Sequence, residues 1–401
     1  MFHPGVYLEQ SDGTPQRIIE VPTHITTFVG YTQKAKNGEE SLLHKPVRIT
    51  HLSSFDRFFG GAPRDVEGNS ATNHILFRCV EHFFYNGGNE CIVVSVGDYG
   101  EQIQKEQLSK GLYELPAEEE FSLLVIPEAV CLPKEQCYAL QREMLEYCGA
   151  TERKRFAILD IYNGYMECKG VEDPVEEFRR GIGDNYLSFG AAYYPWIMNS
   201  KTKTVQPVSA TVAGIYTKVD TTVGVWKAPM NVVLKEVYDM PVKLTSQSMD
   251  SLYSNNGKIS VNGVIFSKGE GIMLWGSRTL DGNSDDIYSK YLNIKRTLIM
   301  LERSLQLSLS PYAHLPNTPE TWQSIKNLVN QYLTQFLHNG SVFGVSGPGA
   351  FSVEVGLGET MSQNDIQAGN LNVRVIIALT PNDVKSPHQF CATISLPCKN
   401  K

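Results

Sequence analysis

Apolar positions recur at two different spacings along this chain, and the spacing separates helices from strands. In NSATNHILFRCVEHFFYNGG, the residues Ile75, Leu76, Cys79, Val80, Phe83 and Phe84 fall three and four apart, which predicts an amphipathic helix that stops at Asn86, Gly87 and Gly88. The run CIVVSV, from Cys91 to Val96, follows as a continuous apolar strand. A phosphate-cradling loop leads from a strand through glycines into a helix N-terminus. Here the glycines follow a helix C-terminus, whose carbonyl oxygens and negative dipole end repel phosphate. They are read as a helix stop and a tight turn.

From residue 74 to about 225 the two patterns alternate. The apolar runs FSLLVIP at 121, RFAILDI at 155 and SFGAAYYPWI at 188 are separated by segments of helical spacing such as PKEQCYALQREMLEYC. Continuous apolar strands between helices predict an α/β domain whose sheet is mainly parallel and covered on both faces. In VSATVAGIYTKVDTTVGVWKAP, residues 208–229, small Ala210, Ala213 and Gly214 predict a short helix lying close to the sheet, with Trp226 and Pro229 in an exposed turn. NNGKISVNGVIFSKGEGIMLWGSRTLDGNSDD reads as short strands joined by glycine turns.

A helix is predicted over about 285–309, with Tyr288, Tyr291, Leu292, Leu298, Ile299 and Leu305 on its apolar side. The next begins at Thr318 as cap and Pro319 in the first turn, and Gly340 follows its end. Its apolar set is Trp322, Ile325, Leu328, Val329, Tyr332, Leu333, Phe336 and Leu337. The opposite face carries Gln323, Lys326, Asn327, Asn330, Gln331 and Thr334, polar but nearly uncharged. Such a face is either ordinarily solvated or a surface for a partner.

The last sixty or so residues change period again. AFSVEVG alternates Phe351, Val353 and Val355 with polar residues, and LNVRVIIAL alternates Leu371, Val373, Val375 and Ile377. After TPNDVKSPHQ comes FCATISLP, with Phe390, Ala392, Ile394 and Leu396 on one face and no evident partner strand in its own domain. At the other end PGVYLEQ, with Val6, Tyr7 and Leu8, is a short strand before a turn-rich SDGTPQ. Strand-forming ends invite pairing with other subunits.

Composition narrows the function. The chain has 401 residues, 42% of them hydrophobic, enough for two or three domains and incompatible with a disordered or collagen-like chain. The net charge is −7, and no Lys/Arg cluster interleaved with aromatics occurs, so nucleic acid is not an expected partner. The opening MFHPGVYLEQSDG lacks the plan of a signal peptide and no run of about 18 apolar residues occurs, so membrane insertion is not expected. The eight cysteines form no C-x-x-C pair and have no histidines at ligand spacing. Free thiols in a reducing cytoplasm are expected, with no metal and no cofactor. An enzyme reading would start from Asp160, at the end of its predicted strand, as in an α/β hydrolase. No nucleophile elbow or G-x-G-x-x-G turn accompanies it.

PGVYLEQ, FFYNGGNECIVVSV, ATVAGIYTKVDTTVGVWKAPMN, GIMLWGSRTL, YLNIKRTLIMLERSLQ, FLHNG and ETMSQNDIQAGNLNVRVIIALTP, in this order over nearly the whole chain, resemble the contractile tail sheath proteins of bacteriophages and of related injection systems. The resemblance implies an N-terminal arm (1–22), an outer α/β sheath domain (23–282), an α+β C-terminal domain facing an inner tube (283–384) and a C-terminal arm (385–401). It implies a non-enzymatic homo-oligomer of stacked six-membered rings around an inner tube protein, with baseplate and tail-terminator or cap proteins as further partners, assembled in the bacterial cytoplasm. The arms, through Val6, Tyr7, Leu8, Phe390, Ala392, Ile394 and Leu396, would complete a β-sheet in neighbouring subunits. Gln323, Lys326, Asn327, Asn330 and Gln331 would face the tube.

Overall fold

The computed structural model describes residues 17–63, 74–115, 120–150, 154–168, 173–253, 259–338, 350–379 and 388–397. Inside its main sheet, third from one edge, lies a strand the apolar pattern did not single out. This is β1 (Thr26–Thr32), TTFVGYT, buried at every position, its threonines included. Around it stand β2 (Pro46–Ile49), β3 (Cys91–Asp98), β4 (Leu123–Val125), β5 (Phe156–Asp160), β6 (Gly190–Tyr194), β7 (Asn262–Ser267) and β8 (Gly271–Trp275). The order is β8-β7-β6-β5-β4-β1-β3-β2. Inner neighbours run parallel, and only the two rims, β8 on β7 and β2 on β3, are antiparallel.

Alternation along the strands sends side chains into two cores. Val29, Tyr31, Ile92 and Val94 pack with Leu108, Leu112 and Leu140 of helices Lys105–Tyr113 and Lys134–Ala150. Phe28, Cys91 and Val93 pack on the other face with residues of α1 (Leu76–Tyr85) and α2 (Ser209–Thr222). The expected α/β domain with a covered, mainly parallel sheet is therefore what forms. Helix α1 also ends as its sequence predicts. The Asn86 N–H returns to His82 and Phe83, the Gly88 N–H meets the Phe83 carbonyl at 3.0 Å, and Gly87 takes φ +109°, a region that favours glycine.

The short helix α2 lies close to the sheet as expected, with Ala210 and Ala213 in one core with Leu123, Val125 and Ile158. A Cβ on Gly214 would lie 2.4 Å from the Phe83 carbonyl oxygen, so that residue lets α2 close on α1 as well. Two local expectations need correcting. Pro229 is buried and Trp226 half-buried, because Asn293 Nδ2 donates to the Trp226 carbonyl at 2.9 Å and ties the turn down. The helix expected over 285–309 breaks at Tyr291: Asp286 caps a separate turn, Ile287–Lys290, before α3 (Leu292–Leu309) begins.

The chain divides into two compact units, residues 22–299 and residues 1–21 with 300–401. The second contains α4 (Pro319–His338) and a three-stranded antiparallel sheet in the order β9-β10-β11, made of β9 (Phe351–Glu354), β10 (Asn370–Leu379) and β11 (His388–Pro397). Here the expectation of an unpartnered C-terminal strand is overturned. β11 pairs with β10 along its whole length, from Asn370↔Pro397 to Leu379↔His388. The matched alternation accounts for it: Leu371, Val373 and Val375 are buried, and opposite them lie buried Leu396 and half-buried Ile394 and Ala392. Cross-strand apolar pairs on one face, together with the backbone ladder between the two strands, favour this register.

Candidate functional site

In open α/β sheets, ligands bind beyond the carboxyl ends of the strands. Two acids sit at those ends here, and both are turned inward. Asp160 closes β5 at 3% exposure, and its Oδ1 accepts the Val208 and Ser209 N–H groups, each at 2.9 Å, at the start of α2. Burial pushes its pKa up to about 6 against the effect of these hydrogen bonds. Its geometry is that of a helix cap, and the acid on which the hydrolase reading rests is occupied by its own chain.

Glu128 was not singled out by the sequence, where only the Pro-Glu step after an apolar run marks it. Fully buried just beyond β4, it accepts at Oε2 from Tyr31 N at 2.7 Å, and at Oε1 from Ile75 N at 3.0 Å and Leu76 N at 3.4 Å. Burial raises its pKa to about 7. The two acids thus sit on the N-termini of α1 and α2, positions that attract anions in other folds.

The smaller unit carries the residues expected to make assembly contacts. Helix α4 buries Ile325, Leu328, Val329, Tyr332, Leu333 and Phe336. On the opposite face Gln323, Asn327, Gln331 and Thr334 are exposed, while Lys326 and Asn330 are half-buried. Gln323 Nε2 donates to Asn327 Oδ1 at 2.8 Å, and Lys326 Nζ lies 3.4 Å from Glu359 Oε2. With its lysine engaged, the exposed stripe consists of neutral amides and hydroxyls. The first described residues run beside α3: Ile19 N donates to Ser308 Oγ at 3.0 Å and Val21 N to Ser304 Oγ at 2.9 Å. The Tyr332 hydroxyl donates to Glu20 at 3.0 Å, across a cleft of about 360 Å³. Ile19 is left 67% exposed.

β11 forms a rim of its sheet, with Cys391, Thr393 and Ser395 exposed on the face opposite Ala392, Ile394 and Leu396. Val6, Tyr7 and Leu8, and the side chain of Phe390, lie outside the described residues. Among the described residues, no cluster of three His, Cys, Asp or Glu side chains is arranged to hold a metal, the cysteines are free thiols, and no helix is long and apolar enough to cross a membrane.

Residues 284–396 match the family model of the phage tail sheath C-terminal domain. A comparison with curated proteins finds no match. Among solved structures, the chain is similar to one in the contracted baseplate of the anti-feeding prophage, with 26% identity, TM-score 0.76, and coverage of 96% of this chain and 97% of that one. It is similar to the contracted helical sheath of the same system at 25% identity and TM-score 0.74, again over 96% and 97% of the two chains. The fold extends to a sheath tail protein of Listeria innocua at 9% identity and TM-score 0.66, covering 94% and 97%. The resemblance to contractile tail sheath proteins therefore holds, in the C-terminal part by sequence and over nearly the whole chain by fold.

The role of Asp160 as a cap is open to test. A folded pKa raised to about 6 gives a contribution that is full below the unfolded carboxyl value and is lost as pH rises through 6. Asp160→Asn retains an acceptor for both N–H groups and removes the ionisation, so at pH 8 it is expected to be at least as stable as the parent. Asp160→Ala leaves two buried donors unsatisfied and is expected to cost about 1–3 kcal/mol. Denaturant unfolding at pH 5 and pH 8 checks this, and an asparagine variant as unstable as the alanine one at pH 8 would refute the cap.

Proposed function

We propose that this chain is the structural subunit of a contractile sheath, which polymerises as stacked six-membered rings around an inner tube and shortens to drive the tube through a target envelope. The observation that supports this reading most strongly is the likeness over 96% of the chain to the sheath of a contractile system in its contracted state. The chain's own chemistry agrees with a mechanical role: at the strand ends where an α/β enzyme would bind its substrate, Asp160 and Glu128 are committed to backbone N–H groups. Work is stored in assembly, as a metastable extended packing that relaxes to one with more contact between subunits.

In this reading the arms are the durable joints. The strand β11 leaves its place on β10 and takes the same place on a neighbour, while residues around Val6, Tyr7 and Leu8 add to the shared sheet. Backbone hydrogen bonds at about 1 kcal/mol net each make one such ladder modest, but many ladders in a lattice act together. Rings can then rotate and widen while staying tethered. The nearly uncharged stripe of α4, with Gln323, Lys326, Asn327, Asn330 and Gln331, faces the tube in the extended state. A partner that must slide away is better met by amides than by fixed ion pairs. Baseplate and cap proteins bound the stack, and the particle assembles in the bacterial cytoplasm.

Strand exchange can be read covalently. Arg374 and Thr393 are paired across β10 and β11, with Thr393 exposed, so Arg374→Cys with Thr393→Cys places two thiols opposite each other. In a background with Cys391→Ser and Cys398→Ser, oxidation after assembly is expected to give a ladder of covalent multimers on a non-reducing gel. Oxidation before assembly is expected to yield locked monomers that do not polymerise. Assembled particles that oxidise only to single chains would exclude exchange of β11.

For the tube contact, Asn327→Glu with Asn330→Glu is expected to leave thermal unfolding within about 1 kcal/mol of the parent, as befits surface positions. Sheath length on co-expressed tube is expected to fall severalfold. Unchanged sheath yield and length would remove α4 from the tube surface.

A further inference from the structure

His82 of α1 is fully buried, yet both of its ring nitrogens have polar neighbours. The ring meets a small antiparallel sheet formed by Ile197–Asn199, Val205–Gln206 and Val237–Asp239, within the unit 22–299. Nε2 lies 2.8 Å from Asn199 Nδ2, and Nδ1 lies 3.4 Å from Thr211 Oγ1 on α2.

Asn199 dictates which ring nitrogen carries the proton. Its Oδ1 accepts the Lys201 and Thr202 N–H groups at 2.8 and 3.1 Å, which holds the amide in one orientation. Nδ2 therefore faces His82, and its second hydrogen goes to Gln206 Oε1 at 3.2 Å. A group that offers only hydrogens needs a lone pair opposite it, so Nε2 is the acceptor and the proton sits on Nδ1, toward Thr211. In the imidazolium both nitrogens carry hydrogen, and the new Nε2–H would point at the Asn199 NH2 group. Turning the amide over gives no relief, because its nitrogen would then face the Lys201 and Thr202 N–H groups.

The surroundings supply no countercharge strong enough to offset this conflict. Glu81 and Lys201 act on the ring with opposite signs, the Tyr85 ring stands edge-on to it with centroids 6.2 Å apart, and Thr211 and Gln206 are uncharged. Burial outweighs Glu81 and holds the His82 pKa down to about 4, in agreement with the donor geometry. A second tie between α1 and the same sheet contains no titratable group: Asn86 Oδ1 accepts the Lys235 N–H at 2.8 Å, and its Nδ2 donates to the Lys235 carbonyl at 3.2 Å.

We propose that His82 is an acid-sensitive lock on the turn 199–204, which the neutral imidazole holds against α1 and the imidazolium releases. The sign follows from the arrangement of donors. In the released state the ring meets water and takes its ordinary value near 6.5, so the stability it lends the turn is full above that value and is lost as pH falls toward 4. This goes beyond the assembly reading and does not rest on it.

Hydrogen exchange at the amides of Lys201 and Thr202 in the full chain reads the lock directly. After correction for intrinsic exchange, their opening equilibrium is expected to grow by about tenfold or more between pH 7 and pH 5, while the Lys235 amide, held by Asn86, changes far less. His82→Gln keeps an acceptor for Asn199 and cannot ionise in this range, so it is expected to hold the turn closed at both pH values. Glu81→Gln is expected to retain the parent's slope. Should the His82→Gln variant fail to fold, imidazole 15N shifts of the parent are expected to show the Nδ1–H tautomer of His82 at pH 7. A flat profile in the parent, an equal rise at Lys235, an unchanged slope in His82→Gln or an Nε2–H tautomer would each overturn the lock.

Discussion

A strand whose apolar face is bare is costly to leave in water, and this constraint governs the C-terminal end of the chain. β11 has ten residues in register with β10, and its inward positions fall opposite Leu371, Val373 and Val375. In the single chain the strand satisfies itself at home. The same ladder from a neighbour would satisfy it equally, because register and face are properties of the two strands rather than of the connection between them. If β11 exchanges as proposed, the bonds broken at home would be remade next door, and the balance would be set by chain entropy and by the contacts between subunits.

The larger unit follows a different economy. Its fold is one that elsewhere holds anionic ligands at the carboxyl ends of parallel strands, yet here those places are filled by Asp160 and Glu128. Two helix N-termini that would attract a phosphate are instead joined to the sheet by internal carboxylates. Such a domain gains a joint between layers at the place where an enzyme keeps a pocket, which suits a part that carries load. The buried Asp220–Arg296 pair, with Nη2 2.5 Å from Oδ2 and 2.9 Å from the Thr23 carbonyl, fastens the start of α3 to α2 in the same unit.

Periodicity made most of this legible. The helix α1 with its glycine stop, the parallel strands β3 to β6, the amphipathic α4 and the alternation of β10 and β11 all stand in the sequence, since each depends on local spacing alone. β1 escaped because its threonines read as surface residues, although they are buried in the structure; its β-branched and aromatic content was the available signal. Glu128 escaped because its partners, Tyr31 and Ile75, are 97 and 53 residues away. The pairing of β11 was missed for a related reason. Alternation shows that a strand wants a partner and shows which face is apolar, but not whose strand will supply it.

The central claim is that this chain is built to polymerise into a hollow contractile lattice, and electron microscopy of the purified full-length chain in negative stain tests it most directly. The account predicts rings or hollow tubes with sixfold symmetry, in which a central channel wide enough for an inner tube is visible end on. A preparation that is folded by circular dichroism, yet stays as dispersed single particles across concentration and salt, and also when co-expressed with a tube protein, would contradict it.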